Sequence, residues 1–195
     1  MFDNMNNDTG DALNIFIKTA EQKILSLFAM NPGVAFYTRQ IVKKLKMSLG
    51  TTHASLQSLE KLNFLRSQLV GKTKIFELDI QGPTIQAFRV FNTILILEPL
   101  VDELKEISRR IVLYGSYSKG IFSKDSDLDL LVVAENKKQA SNLIDQAKRK
   151  TGLDIRPLIM NQLEWTKLEQ TSPEFFDEIG HGIILSEKPV EESRL

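Results

Sequence analysis

The 195-residue chain contains no cysteine. Disulfides, thiolate metal sites and thiol nucleophiles are therefore excluded, and a reducing compartment suits it. It also lacks net charge, because 25 Lys and Arg balance 25 Asp and Glu. That excludes a uniformly basic polyanion binder but not an uneven distribution of charge. Long apolar runs are missing too. The stretch "TILIL" in the middle of the chain is far shorter than the ~20 residues a membrane span needs, so no membrane partner is expected. The opening "MFDNMNNDTGDALN" has neither the basic nor the apolar region of a secretion signal, and reads as a flexible tail over residues 1–16. The expected location is cytoplasmic. Hydrophobic residues at 42% and charged ones at 26% exclude wholesale disorder. No repeat or low-complexity tract is visible.

What is present is unevenly placed. Residues 36–80 hold eight Lys or Arg and three acids, a local charge of +5, so the remainder carries −5. A basic module joined to an acidic one implies that only the first meets a polyanion. Within the basic part, Ala20, Ile24, Leu27 and Phe28 recur at helical spacing over 18–30, and "NPG" stops that helix. A second helix is predicted in "AFYTRQIVKKLKM", with Ile41, Val42 and Leu45 inward. Ser48 suits the N-cap of a third, where Thr52, Leu56, Leu59 and Leu62 form the stripe. The runs "LRSQLV" and "TKIFELD" flank Gly71 and Lys72 as a β-hairpin.

Three helices followed by a hairpin resemble a winged helix-turn-helix domain over 17–80, with the third helix as recognition helix and the hairpin as wing. Asn63 stands where that family usually has glycine, and it too tolerates a left-handed backbone. The resemblance implies nucleic-acid binding through Lys43, Lys44, Thr51, His53, Lys72 and Lys74. An interaction or dimerisation module would show the same elements, and His53 would then be an ordinary surface histidine. Gly82-Pro83 ends the module. The apolar "TIQAFRVFNTILIL" reads as a linker helix over 81–98 that offers a homodimer contact through residues 84–97, and Pro99 is expected to start a separate helix.

From residue 99 to 195 the pattern becomes α/β: strand "IVLYGS", strand "DLDLLVVA", helix "KKQASNLIDQAKRKTG", strand "LDIRPLIM". The whole chain is thus α+β, a three-helix and hairpin domain followed by a small domain with a mixed sheet. A P-loop fails because Ile121 and Phe122 follow Gly120 where Lys and Ser or Thr are required. An EF-hand starting at Asp125 fails because Leu130 and Asn136 stand where it needs glycine and glutamate. There remains a Gly115-Ser116 turn suited to phosphate, followed by Asp127 and Asp129 on one face of a strand. Alternate carboxylates of this kind hold Mg²⁺ or Mn²⁺. A phosphate cradle beside such a site describes phosphoryl or nucleotidyl transfer.

"GSYSKGIFSKDSDLDLLV" resembles the signature of the DNA polymerase β-like nucleotidyltransferase superfamily, above all its small stand-alone members, which include antitoxins paired with HEPN toxins. The resemblance implies that Gly115, Ser116 and Lys119 bind the triphosphate of an NTP, with ATP the expected nucleotide. It implies that Asp127 and Asp129 hold the metals, and that Asp154 in "GLDIRPLI" is the third metal ligand and the base toward the acceptor. Glu164 competes with Asp154 for that last role. Lys119 stands where many relatives have arginine. Trp165 and His181 suit a core aromatic and a surface histidine better than a pocket. The expected activity moves an NMP from an NTP to a hydroxyl of protein or RNA, a HEPN-type toxin being one possible acceptor. The alternative is a DNA-binding regulator or antitoxin whose transferase fold senses nucleotide without turnover.

Overall fold

The computed structural model describes residues 11–189. Of the tail expected over 1–16, residues 1–10 lie outside the described residues, while Asp11–Phe16 forms a short helix, α1. Thr19 then caps α2 (Ala20–Ala29): its Oγ accepts the Gln22 N–H at 3.2 Å, and Gln22 Oε1 accepts the Thr19 N–H at 3.0 Å. This reciprocal pair satisfies two of the helix's orphan donors. The second predicted helix begins later than expected. Phe36–Tyr37 instead form a two-residue strand, β1, and only Thr38–Leu45 are helical, as α3. Ser48 caps α4 (Leu49–Lys61) through the Thr51 N–H at 3.0 Å. Thr52, Leu56 and Leu59 are buried as the spacing requires, but Leu62 is 58% exposed because the helix has already ended.

Asn63 turns the chain with φ 58° into β2 (Leu65–Val70), and Gly71-Lys72 form the turn to β3 (Thr73–Leu78). The sheet order is β1-β3-β2, entirely antiparallel. Ile24, Phe28, Ile41, Leu56, Leu65 and Phe76 form the core beneath it.

The two helices predicted around Pro99 are one, α5 (Pro83–Ile107), with the proline inside. An interior proline removes a hydrogen bond and costs roughly 3 kcal/mol. Burial of Leu95, Ile96, Leu97, Leu100 and Leu104 on both sides offsets that loss. At 25 residues α5 meets the length and composition of a membrane span, contrary to the expectation drawn from "TILIL". Within the protein, 44% of its most apolar stretch is buried.

The described residues divide into two units. One runs up to Ile96 and includes Lys119–Ser126; the other comprises Leu97–Ser118 and the residues from Asp127 onward. In the second unit, β4 (Ser108–Tyr114) leads into a short helix, α6 (Gly115–Ser118). After the loop come β5 (Leu128–Ala134), α7 (Lys137–Thr151) and β6 (Ile155–Met160). Two further helices, α8 (Gln162–Thr171) and α9 (Pro173–Gly180), precede β7 (Ile183–Glu187). The sheet order is β6-β5-β4-β7, with β5 and β6 parallel and the other pairs antiparallel. This is a mixed sheet. Strand β6 lies at one edge and carries Pro157, the position in a sheet where a missing N–H is tolerated. Val112, Tyr114, Leu131 and Val133 pack on Leu168 of α8 and Ile179 of α9.

Within the first unit, the loop Lys119–Ser126 is held by a fully buried arginine of α5. Arg89 Nη1 donates to the Gly120 carbonyl at 2.8 Å, Nη2 to that of Phe122, and Nε to that of Ala29 at 3.3 Å. The guanidinium lies 3.7 Å from the centre of the Phe122 ring. Charged donors to buried acceptors are worth about 1.5–3 kcal/mol each, and an orphaned acceptor costs a comparable amount. Arg89→Met should therefore lower stability by about 3 kcal/mol or more in urea unfolding followed by circular dichroism. Arg89→Lys should recover only part of this, since one ammonium cannot serve three separated carbonyls.

Candidate functional site

The site is built from three neighbouring strands of the second unit. Leu128 and Leu130 are fully buried on one face of β5, so alternation turns Asp129 to the other face, with Leu131 and Val133. Tyr114 stands opposite Asp129 on β4, and Arg156 stands beside it on β6. One step earlier, the Leu128 N–H donates to the Asp154 carbonyl at 2.8 Å. Asp127, Asp129, Asp154 and Arg156 consequently share the face that packs α8 and α9.

Beside them the chain turns from β4 into α6. Gly115 has φ 68°, and a Cβ there would lie 2.4 Å from Asp129 Oδ2. Glycine is thus required twice, by the left-handed backbone and by a carboxylate pressed against its Cα. Ser118 Oγ donates to the Gly115 carbonyl at 2.8 Å and closes the turn, while Ser116 stays partly exposed.

Burial holds the Asp129 carboxyl above the usual range; Arg156 opposes this, and the negative charges of Asp127 and Glu178 add to it. The Tyr114 phenol is likewise raised, chiefly by burial and then by Asp129 and Glu178. Arg156 Nη1 stands 3.9 Å from Asp127 Oδ2. Tyr114, Asp129, Arg156, Phe175 and Glu178 line a cavity of about 320 Å³. Such a pocket offers a cation, hydrogen-bonding groups and an aromatic wall next to a partly desolvated carboxylate.

Asp154 reaches the shared face, but its side chain is exposed. Among the described residues, no three His, Asp or Glu side chains stand together as a ready-made metal cluster. Glu164, the competitor to Asp154, is committed elsewhere. It closes the capping box of α8 with Asn161 and pairs with Lys137, and these contacts lower its pKa. Trp165 packs on Phe176 with ring centres 5.0 Å apart. His181 is exposed at the end of α9. Lys119 is exposed in the loop that belongs to the first unit.

Arg156, Tyr114 and Glu178 are the site residues that sequence reasoning missed. Arg156 was accessible to it, since it alternates with Asp154 in "LDIRPLI" and must share its face. Glu178 gives no local signal, because only the packing of α9 on the sheet brings it near.

In the first unit, a second cavity of about 580 Å³ is lined by Tyr37, Thr38, Arg39, His53, Gln57, Lys72, Thr73, Lys74 and Phe76. It gathers three residues expected at a nucleic-acid surface, His53, Lys72 and Lys74. Lys43, Lys44 and Thr51 are not part of its lining. The Thr51 Oγ1 accepts from Ser48 Oγ at 2.8 Å, at the cap of α4.

Residues 96–182 match the family model of the nucleotidyltransferase domain. The match encloses Gly115, Ser116, Asp127, Asp129 and Asp154, and it supports nucleotidyl transfer as the general activity of the second unit. No curated protein matches the chain.

The crowding at Gly115 gives a direct test. Gly71 has a comparable φ of 61° but open space around its Cα. Gly71→Ala should therefore cost only the backbone strain, about 1 kcal/mol. Gly115→Ala should cost clearly more, about 2–3 kcal/mol, because Asp129 must also move. Urea titrations of the two variants beside the parent chain measure the difference.

Proposed function

We propose that the protein is a metal-dependent nucleotidyltransferase that moves an NMP from an NTP to a hydroxyl of a protein or RNA, with a nucleic-acid-binding winged helix as its first unit. The observation that carries the reading is the contact of the Gly115 turn with Asp129, on the strand face that also holds Asp127. A nucleotide phosphate seated at the turn would lie next to both carboxylates. In the reaction the acceptor oxygen bonds to the α-phosphorus, and the bond from that phosphorus to the bridging oxygen breaks. The bridging oxygen leaves with its electron pair as part of pyrophosphate. The acceptor proton passes to the Asp154 carboxylate, one step across from Asp127.

Mg²⁺ or Mn²⁺ suits these hard oxygen donors and would neutralise charge on the attacking and leaving oxygens. Mg²⁺ is commonly bound by one or two carboxylates completed by substrate phosphates, which fits a pair of aspartates without a third converging ligand. Arg156 takes the part of triphosphate partner better than Lys119, since it already faces the carboxylates and offers a planar fork. Three helices and a hairpin with a concentration of positive charge support the winged-helix part. A nucleotide-sensing regulator is the second reading, favoured by the exposed position of Asp154 away from a closed acid cluster.

Incubation with α-³²P-labelled ATP and the other NTPs, with Mg²⁺ or Mn²⁺, in a lysate of the source cell separates the two readings. Label should appear on a protein or RNA band and fall about a thousandfold or more in Asp127→Ala and Asp129→Ala, the several kcal/mol that metal-assisted charge stabilisation supplies. Nucleotide binding without label transfer from any NTP would favour the regulator.

A further inference from the structure

We infer that the cavity enclosed by α3, α4 and the β2–β3 hairpin seats one unstacked nucleotide of a single-stranded nucleic acid. The inference rests on the nucleic-acid-binding reading of the first unit and is independent of the transfer reaction. The cavity holds about 580 Å³, within the ~300–1,000 Å³ typical of small-ligand sites. Its lining divides by chemistry into the parts of a nucleotide. Tyr37, 39% exposed, offers aromatic surface for a base, whereas Phe76 is a core residue covered by Lys74. Gln57 supplies an amide with both donor and acceptor for a base edge. Arg39 and Lys72 are exposed cations on opposite sides of the cavity, one on α3 and one in the hairpin turn. Lys74 is tied to Glu60 at 2.8 Å, so Arg39 and Lys72 carry the contacts to phosphate.

A concave site favours a single strand over a duplex. In a duplex the bases stay stacked, and their edges are read by an element that protrudes into a groove. A base reaches the ring of Tyr37 in the hollow only when it has left the stack, as in the recognition of single-stranded loops and ends. Two exposed residues of α4, His53 and Gln57, line the hollow and are available to a base that enters it.

Fluorescence anisotropy of the full chain tests this with a labelled mixed-sequence 12-mer RNA, the same sequence as a duplex, and ATP or AMP as competitor. The single strand should bind at least tenfold more tightly than the duplex at equal salt. Tyr37→Ala and Gln57→Ala should each weaken it by about three- to tenfold, and the paired Arg39→Gln, Lys72→Gln change by more, with circular dichroism confirming folded protein. Gln57→Ala keeps the test valid if Tyr37→Ala disturbs the start of α3. Equal or tighter binding of the duplex overturns the inference, as does single-strand affinity indifferent to Gln57 and Arg39. A mononucleotide that binds as tightly as the strand overturns it in favour of a small-molecule site. If neither form of nucleic acid binds, the inference falls together with the nucleic-acid reading of the first unit, while the labelling experiment stands unaffected.

Discussion

A guanidinium removed from water is the constraint around which the first unit is organised. Arg89 exchanges its hydration for three backbone carbonyls, one from the end of α2 and two from the loop that follows α6. A buried charge is tolerated only when its donors are met. Gly120 and Phe122, both buried, are therefore the fixed points of the loop. That loop is also the covalent path between the Gly115 turn and the aspartate strand. It leaves the second unit after Ser118 and returns at Asp127. Gly120 shows how tight the fit is: a Cβ there would come within 2.2 Å of the Gln86 carbonyl oxygen, and its φ is 68°. The glycine of "SKG" is thus explained by packing inside the first unit.

The candidate site depends on register. Because β5 pairs with β4 on one side and β6 on the other, a single alternation decides which face receives Asp127, Asp129, Asp154 and Arg156. A slip of one residue would bury the carboxylates among the apolar residues of the other face. The run Leu128, Leu130 and Val132, all fully buried, prevents it. The same apolar residues that make the strand a core element hold the carboxylates at its accessible face. Arg156, whose Nη1 stands 3.9 Å from Asp127 Oδ2, offsets part of the repulsion between the two neighbouring acids.

Much of this was legible locally. Alternation in "DLDLL", the Ser48 cap, the two-residue turn at Gly71-Lys72 and the left-handed Asn63 each follow from residues within a few positions of one another. What could not be read depends on partners far along the chain. Pro99 starts a new helix by local rule, yet α5 runs through it with buried leucines on either side. Phe36-Tyr37 have the pattern of a helix start, but β3, some forty residues on, recruits them as a strand. Arg89 and Glu178 look like surface charges. One is buried by a loop thirty residues later, and the other is carried to the site by α9.

Pro157 has a consequence beyond this sheet. Strand β6 is an edge, and an edge strand is a template on which another chain can polymerise. A proline at its third position withholds a donor from any newcomer, and the charged pair Asp154 and Arg156 lies just before it. The rim of the candidate site is therefore protected from association by backbone pairing. Whatever meets this edge does so through side chains rather than by extending the sheet.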